Sequence, residues 1–181
     1  MIFAKKTVML RDGRQAVLRA PEKQDAAQLL DYLKATAGET EFLIRYPEEV
    51  VMTIEEEEKY IETQRASAKD ATILAFVDGR HAGNCGLNVS AKQKTRHYGT
   101  VGIALRKEFW GMGLGTVLLQ ETIDLAGQMG LHHLELEVFA PNGRAIALYE
   151  KMGFRIVATR PYAARKKDGG FMDEHIMQLL L

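Results

Sequence analysis

The chain has 181 residues, and its 24 lysines and arginines balance 24 aspartates and glutamates, so its formal charge is zero. The length suits one domain over residues 1–181, and a hydrophobic content of 46% is that of a soluble globular protein rather than a disordered one. The charge balance argues against a broad basic surface that holds nucleic acid through its phosphates. We therefore predict no nucleic-acid partner, while a local basic patch stays open.

Cysteine content and apolar runs bear on compartment and membranes. The single Cys85 excludes an internal disulfide and a multi-cysteine zinc site, and we predict it to be a buried, inert thiol. Residues 1–6 lack the apolar core of a signal peptide, and no apolar run approaches membrane-spanning length. These features predict a cytoplasmic protein without a membrane partner.

A hairpin and a helix are the first predicted elements. Residues 7–10 and 15–18 have strand character, and Asp12-Gly13 between them is a strong hairpin signal. Pro21 suits the first turn of a helix, in which apolar residues recur at helical spacing until Gly38.

A second helix is predicted from Thr53 to about Ala68. Thr53 and Glu56 have the spacing of a capping box, in which two side chains satisfy backbone N–H groups at the helix start. The acidic run 55–58 falls in the first turn, where negative charge meets the positive end of the helix dipole. We favour a solvated helix start over a binding role for this run.

From residue 71 the pattern changes to strands. Segments 72–77 and 81–89 flank Asp78-Gly79 as a second hairpin, and residues 97–105 predict a further strand. A helical stripe from Leu114 to Met129 follows, closed by Gly130.

The last third of the chain alternates strands and a helix. We predict a strand at 134–138, a short helix at 145–152, and closing strands at 154–158 and 171–180. Early hairpins and a late strand–helix–strand unit predict an α/β (α+β) fold with a mixed sheet and helices on both faces.

Residues 101–116 form the most informative stretch. A strand runs into a loop with glycine at every second position, Gly111, Gly113 and Gly115, and the loop leads into a helix N-terminus. Glycines leave backbone N–H groups unshielded and the helix start adds partial positive charge, so both can converge on an anion. We favour a phosphate or pyrophosphate site over a tight turn without a ligand.

Two common nucleotide motifs do not fit this loop. A P-loop needs Gly-Lys-Ser/Thr, but no lysine precedes Thr116. A Rossmann fingerprint needs glycine at position 116 and an early βαβ unit, whereas two helices and several antiparallel strands come first here. A nucleotide-dependent oxidoreductase is therefore disfavoured.

A second informative stretch covers residues 134–154. Asn142 ends a strand and can cap the following helix. Tyr149 lies seven residues further on, which places it on a similar side of that helix about 10 Å along its axis. For Asn142 a cap and a ligand contact both stay open, and for Tyr149 plain packing is the alternative to a chemical role.

Together the two stretches resemble the GNAT superfamily, the acyl-CoA-dependent N-acetyltransferases. The family's loop, usually Arg/Gln-x-x-Gly-x-Gly/Ala, corresponds to Trp110-Gly111-Met112-Gly113-Leu114-Gly115, and its Asn…Ala…Leu-Tyr-x-x-x-Gly-Phe ending corresponds to residues 142–154. Trp110 stands where the family usually has Arg or Gln. This departure removes a side chain that clamps the pyrophosphate and leaves the backbone cradle unchanged.

The resemblance implies the acyl-CoA N-acyltransferase fold, with a mainly antiparallel sheet splayed at its centre between strands 101–105 and 134–138. It implies acetyl-CoA as cosubstrate and no metal. Backbone groups of Ile103, Ala104 and Leu105 would pair with the pantetheine arm and polarise the thioester carbonyl, and Asn142 would contact that arm or cap its helix. The residues that would hold the pyrophosphate are Gly111, Met112, Gly113, Leu114, Gly115 and Thr116.

By the same resemblance, Tyr149 is the general acid that protonates the departing CoA thiolate. A thiol has a pKa of about 8.5 and leaves readily, so this help should be modest. Glu41, His97, Glu137 and Glu174 come from the expected cleft-forming segments, but each is favoured as a surface charge. We assign no general base.

We therefore predict an enzyme, an N-acetyltransferase that moves an acetyl group from acetyl-CoA to a primary amine by direct attack. The alternative is an acyl-CoA-binding sensor or accessory module without turnover. Tyr149 favours the enzyme, because a pure binder needs no proton donor at the sulfur.

The acceptor is expected to be a small-molecule or peptide amine, and a homodimer is common in the family. Residues 22–68 and the late turn 160–171 would set acceptor specificity. Within the first region, residues 39–46 are slightly favoured as a plain inter-helix connection over the wall of an amine pocket. The late turn carries a basic cluster that would meet an acidic group, an adenosine phosphate or water: Arg160, Arg165, Lys166 and Lys167.

Overall fold

The computed structural model describes residues 2–181, and Met1 of the N-terminal segment lies outside them. Eight strands and four α-helices occur in this range, in the predicted order. Their bounds are β1 Lys6–Met9, β2 Gln15–Arg19, α1 Ala26–Glu39, α2 Ile54–Ala66, β3 Ala71–Val77, β4 Arg80–Val89, β5 Tyr98–Leu105, α3 Leu114–Gln128, β6 His133–Phe139, α4 Gly143–Lys151, β7 Arg155–Arg165 and β8 Phe171–Leu180.

Local chemistry explains most of these boundaries. The predicted capping box at α2 is present, with the Thr53 side chain accepting from the Glu56 N–H and the Glu56 side chain accepting from the Thr53 N–H. The largest difference from the sequence prediction is β7, which continues to Arg165 instead of ending at Ala158. Bulges in its pairing with β8 let the strand continue, and Tyr162 adopts a positive φ of 54° beside one of them.

All strands belong to one mixed sheet in the order β1-β2-β3-β4-β5-β6-β8-β7, in which only β5 and β6 pair in parallel. That parallel pairing extends from Tyr98↔His133 to Thr100↔Glu135 and then stops. Beyond this point β5 stays paired with β4 and β6 stays paired with β8. Because each strand follows its outer neighbour, a wedge-shaped gap opens between them, which confirms the predicted splay at the centre of the sheet.

Helices cover both faces of the sheet, as predicted. On one face α3 and α4 pack over a large core that includes Leu118, Val101 and Leu134. On the other face α1 and α2 pack through Leu29 and Ile61 against β3. No helix within residues 2–181 is long and apolar enough to cross a membrane.

The predictions for Cys85 and for the acidic run of α2 fare differently in the structure. Cys85 is fully buried, and burial raises the pKa of its thiol to about 12, so the prediction of an inert thiol is confirmed. The acidic run was predicted to be solvated, and this is wrong for Glu57, which is only 3% exposed. Glu57 lies one turn before the buried Ile61, so both side chains point from α2 toward the sheet.

Candidate active site

A cavity of about 1250 Å³ lies where β5 and β6 separate. We call its two parts the loop end, beside residues 110–116, and the helix end, beneath α1 and α2. Nine of the predicted site residues line the cavity. They are Ile103, Ala104, Leu105, Gly111, Gly113, Gly115, Thr116, Asn142 and Tyr149.

The backbone of the loop end depends on its glycines. Gly111 and Gly113 have φ angles of 81° and 86°, which L-residues with side chains rarely adopt. Gly115 is needed for space, because a Cβ there would lie 3.2 Å from Leu148 and 3.3 Å from Leu105. Gly113 immediately precedes α3, so the first-turn N–H groups of this helix face the same region, an arrangement that suits an anion.

Met112 and Leu114 of the predicted site do not line the cavity. Leu114 is fully buried in the core beneath α3. Met112 faces the β1–β2 hairpin, where its carbonyl accepts a hydrogen bond from the Arg11 N–H at 3.2 Å and its sulfur contacts Arg14. Most of the loop therefore lines the cavity, while Met112 and Leu114 anchor it to the rest of the protein.

Two arginines that lie at the loop end of the cavity were not among the site residues predicted from the sequence. Arg11 lies beside Gly113, with its Nε 3.3 Å from the position that a Cβ of Gly113 would take. The Arg144 guanidinium lies over the Trp110 ring, 4.6 Å from its centroid. Both arginines and Trp110 line the cavity. The loop end therefore has cationic side chains even though Trp110 replaces the expected Arg or Gln.

Phe109 and Trp110, just before the glycines of the loop, have different surroundings. Phe109 is 3% exposed and belongs to the core. Trp110 instead lines the cavity, and its indole N–H donates to the Leu105 carbonyl at 2.9 Å. This bond holds the loop against the end of β5, because it joins the residue before the glycines to the last residue of the strand.

Tyr149 packs in the core and also reaches the cavity. It is 6% exposed, its ring centroid lies 6.1 Å from that of Phe154, and burial raises the pKa of its phenol. Its hydroxyl forms no hydrogen bond among residues 2–181. A protonated, unpaired phenol on the cavity wall is chemically suited to donate a proton.

Asn142 combines the two roles that its sequence position left open. Its side chain accepts a hydrogen bond from the Ala145 N–H at 3.2 Å and so caps α4. The same residue lines the cavity. The cap therefore fixes the start of α4, and with it the position of Tyr149 two turns later.

The floor of the helix end is a sheet surface with little side-chain bulk. Cross-strand partners share a face, so the register places Thr72, Gly86 and Gly102 in one row across β3, β4 and β5. A Cβ on Gly102 would meet no atom within 4 Å. The two glycines therefore leave open volume between the sheet and α2.

Carboxylates surround this floor. Glu135 shares the face through its pairing with Thr100, and Glu137 and Glu174 lie further along the same wall. Arg160 contacts both Glu137 and Glu174, the former at 3.2 Å. Glu135 accepts a hydrogen bond from Gln178 at 2.9 Å and has no cationic partner within residues 2–181.

Of the four base candidates from the sequence, Glu137 and Glu174 line the cavity, whereas Glu41 and His97 do not. Glu57, which was not a candidate, lines it as well. Its position four residues before Ile61 is the sequence signal that it faces inward.

The two segments expected to set specificity meet at the helix end. The connection between α1 and α2 forms part of the cavity wall through Phe42, Leu43, Ile44 and Arg45, so the interpretation of it as a plain connection is wrong. In the late turn, Lys167 pairs with Glu48 and its N–H donates to the Tyr46 hydroxyl at 3.1 Å. Part of the predicted basic cluster therefore meets acidic groups of this chain.

Within the part of the chain that the structure describes, no group of three or more His, Cys, Asp and Glu side chains is arranged to hold a metal ion.

Comparison with known proteins adds independent information. The family model of the acetyltransferase (GNAT) family matches residues 27–154. The solved GNAT acetyltransferase of Streptococcus pneumoniae is 33% identical, with a TM-score of 0.87 over 92% of this chain and 99% of that chain.

Curated relatives match over shorter stretches. The L-amino acid N-acetyltransferase AaaT of Escherichia coli is 29% identical over 107 residues, which is 58% of this chain and 65% of that protein. The ribosomal protein bS18-alanine N-acetyltransferase of Escherichia coli is 43% identical over 58 residues, 32% of this chain and 39% of that protein. The chain thus spans less than two thirds of the curated relatives it matches. The family match and the Streptococcus pneumoniae structure together show that the chain belongs to the acetyltransferase (GNAT) family.

Proposed function

We propose that residues 1–181 form a single N-acetyltransferase domain that moves an acetyl group from acetyl-CoA to a primary amine by direct attack. The observation that carries this proposal is the cavity at the splayed strands, which joins an anion-binding glycine loop to a chamber lined with carboxylates. The continuous sheet from β1 to β8 supports one domain. A binding module without turnover would have no use for the second chamber, so the arrangement favours an enzyme.

The loop end would hold acetyl-CoA. Backbone N–H groups from Gly111 to Thr116 would bind the pyrophosphate, with Arg11 and Arg144 adding positive charge nearby. Beyond Thr100 the inner edge of β5 has no partner strand, so backbone groups of Ile103, Ala104 and Leu105 can pair with the pantetheine arm. One of their N–H groups would polarise the thioester carbonyl. Asn142 would contact the same arm while it caps α4.

Tyr149 and the acceptor would approach the thioester from opposite faces of the sheet. Tyr149 belongs to the core on the α3 side, whereas the carboxylate-lined chamber lies on the α1 and α2 side. The amine nitrogen forms a bond to the acetyl carbon and loses a proton, while the carbon–sulfur bond breaks. Tyr149 gives its proton to the departing sulfur and regains one from water. Burial keeps its phenol protonated until then.

No residue is assigned as general base. Glu137 and Glu174 are both bound by Arg160, so neither accepts a proton from the amine without giving up that contact. An alkylammonium group with a pKa of about 10.4 can lose its proton to water before attack.

The named substrates of the relatives, L-amino acids and a ribosomal-protein alanine, support a small-molecule or peptide amine as acceptor class. A homodimer, a cytoplasmic setting and the lack of a nucleic-acid partner stay predictions from the sequence.

Thermal unfolding with acetyl-CoA, CoA, NAD and ATP tests the proposed cosubstrate. Acetyl-CoA and CoA should raise the unfolding temperature, and a preference for NAD or ATP would contradict the proposal. CoA release in the presence of an amine library then tests turnover. Stabilisation by acetyl-CoA without release for any amine would favour the sensor instead.

A further inference from the structure

Glu57 is the most unusual polar residue at the helix end. Glu57 is only 3% exposed to solvent. Its Oε2 atom is shielded from solvent and has no hydrogen-bond partner. Glu57 forms no ion pair among residues 2–181. A buried carboxylate without a direct partner is costly, and Arg45, whose charge acts on Glu57, is exposed and forms no ion pair with it. Such a group in a cavity wall points to a ligand that supplies the missing partner.

The surroundings of Glu57 indicate what kind of ligand fits. Along α2 the cavity wall continues through Tyr60, Ile61 and Gln64, and the facing connection contributes Phe42 and Leu43. Most of these side chains are apolar or aromatic. Below them lies the open floor at Gly86 and Gly102. A ligand here would have an apolar body and a cationic group that reaches Glu57.

A second carboxylate without a cation, Glu135, lies across the chamber on the strand next to the splay. The reacting nitrogen must approach the thioester at this splay. A single ammonium group at the splay leaves the charge of Glu57 without a cation. Glu57 projects from α2, above the sheet, and not from the strands that form the splay. Two separated carboxylates therefore suit two separated cations.

We propose that the acceptor is an amine with a second cationic nitrogen at the far end of an apolar spacer, and that Glu57 binds this second cation. The inference rests on the proposed acetyl transfer and deepens it, since it names the acceptor class. The amine near Glu135 would react, and the distal ammonium would donate to the carboxylate of Glu57.

A zwitterionic amino acid is the competing acceptor. Its carboxylate needs a cation, and Arg45 is the only arginine or lysine that α1, α2 and their connection contribute to the cavity wall. Arg45 is exposed, at the rim of the cavity, whereas Glu57 is buried in its wall. An acceptor carboxylate would also lie near Glu57 and Glu135, which form no ion pair among residues 2–181, and near Glu137 and Glu174, which share Arg160. The charges therefore favour a dication.

The test compares matched acceptors in steady-state assays of CoA release. The panel contains 1,5-diaminopentane and 1,8-diaminooctane, the monoamines pentylamine and octylamine, and the zwitterion 5-aminopentanoate. We expect kcat/KM for each diamine to exceed that of its matched monoamine by about 10- to 100-fold, the range of a charge-assisted hydrogen bond. The zwitterion should be the poorest acceptor.

Glu57→Gln is the decisive variant. It should bring the ratio of diamine to monoamine kcat/KM close to one, mainly through a higher KM for the diamine. Glu55→Gln is the matched control, because Glu55 is exposed in the same helical turn and does not line the cavity. This control should keep the wild-type ratio. Thermal unfolding of both variants checks folding, and Glu57→Gln should be at least as stable as wild type because it removes an occluded charge.

Four results would overturn the inference. Equal kcat/KM for diamines and monoamines, a preference for 5-aminopentanoate, or an unchanged ratio in Glu57→Gln would each do so. Absence of CoA release with every panel amine would also reject this acceptor class. In all these cases stabilisation by acetyl-CoA shows that the cosubstrate part of the proposed function still stands, whereas loss of that stabilisation rejects the proposed function itself.

Discussion

The two ends of the cavity are built on different principles. The loop end uses backbone groups from one contiguous segment, residues 103–116, with glycines that permit the required conformation. The helix end uses side chains from α1, α2, their connection and five strands. A backbone site binds what all members of a family share, because it depends little on side-chain identity. A side-chain site can change with a few substitutions, so acceptor choice belongs there.

The largest effect should come from breaking the loop end at Gly113. A valine there must adopt a φ of 86° and displace the Arg11 side chain 3.3 Å away. We expect Gly113→Val to lower the free energy of unfolding by about 3 kcal/mol and to weaken acetyl-CoA binding at least as strongly. Urea unfolding and acetyl-CoA titration measure both.

The matched control is Gly127→Ala, within α3. A Cβ at Gly127 meets nothing within 4 Å, so this change should raise helix stability by up to about 1 kcal/mol and leave acetyl-CoA affinity unchanged. Wild-type affinity in Gly113→Val would show that the loop backbone does not bind the cosubstrate.

The packing that supports the helix end should be sensitive to pH through His81. This ring lies 4.2 Å from Tyr32 of α1, and burial lowers the pKa of His81 to about 4 from its usual value near 6.5. The unfolded chain therefore takes up a proton as pH falls through 6.5, while the folded chain does so only near pH 4. Stability from this source is complete above pH 6.5 and falls by roughly 3 kcal/mol toward pH 4.

Urea unfolding at pH 7 and pH 4.5 measures this loss. In His81→Phe the difference between the two pH values should shrink, because the titrating group is gone. His132→Gln, at an exposed histidine, should leave the difference as in wild type. An unchanged pH difference in His81→Phe would assign the effect to other groups.

Tyr149 lies at the boundary between the two ends, where a smaller and purely kinetic effect is expected. Tyr149→Phe keeps the packing against Phe154 but removes the proton donor. We expect kcat to fall about tenfold, because the thiolate is already a fair leaving group. Acetyl-CoA affinity should change less than twofold. Tyr98→Phe, outside the cavity, is the control, and wild-type kcat in Tyr149→Phe would remove this residue from the mechanism.

The smallest effects concern the charged side chains of the loop end. Arg11→Gln and Arg144→Gln should each weaken acetyl-CoA binding by about three- to fivefold at low salt, and this difference should shrink as salt screens the exposed charges. Isothermal titration at two salt concentrations tests both. Arg155→Gln, at the exposed start of β7, should have no effect. A loss that does not respond to salt would indicate a structural cause.

Features encoded by neighbouring residues were predictable. The capping box at Thr53, the glycine loop before α3 and the alternation of β6 depend on spacings of two to four residues along one segment. The order of elements followed from such local signals, and the family resemblance supplied the splay between β5 and β6. The cap at Asn142 was predictable for the same reason, because it depends on residues of one short segment.

Contacts between distant segments were not predictable. Arg11 reaches Gly113 from a hairpin about 100 residues earlier in the chain, and nothing in either segment points to the other. The continuation of β7 beyond Ala158 depends on pairing with β8 across two bulges. A neighbouring strand satisfies backbone N–H and C=O groups wherever the fold brings the two strands together. Pairing can therefore extend a strand whose own residues give only a weak strand signal.

The residue pattern alone indicated the order of strands and helices, a glycine loop suited to an anion and the family resemblance. The burial of Glu57, which the pattern left solvated, follows from the folded structure. The periodicity of α2 turns this side chain toward the sheet, but its burial depends on distant segments that pack around it, among them the connection between α1 and α2, which lines the same cavity. The physical reason is that periodicity sets the direction of a side chain, whereas burial and charge compensation depend on every element packed around it.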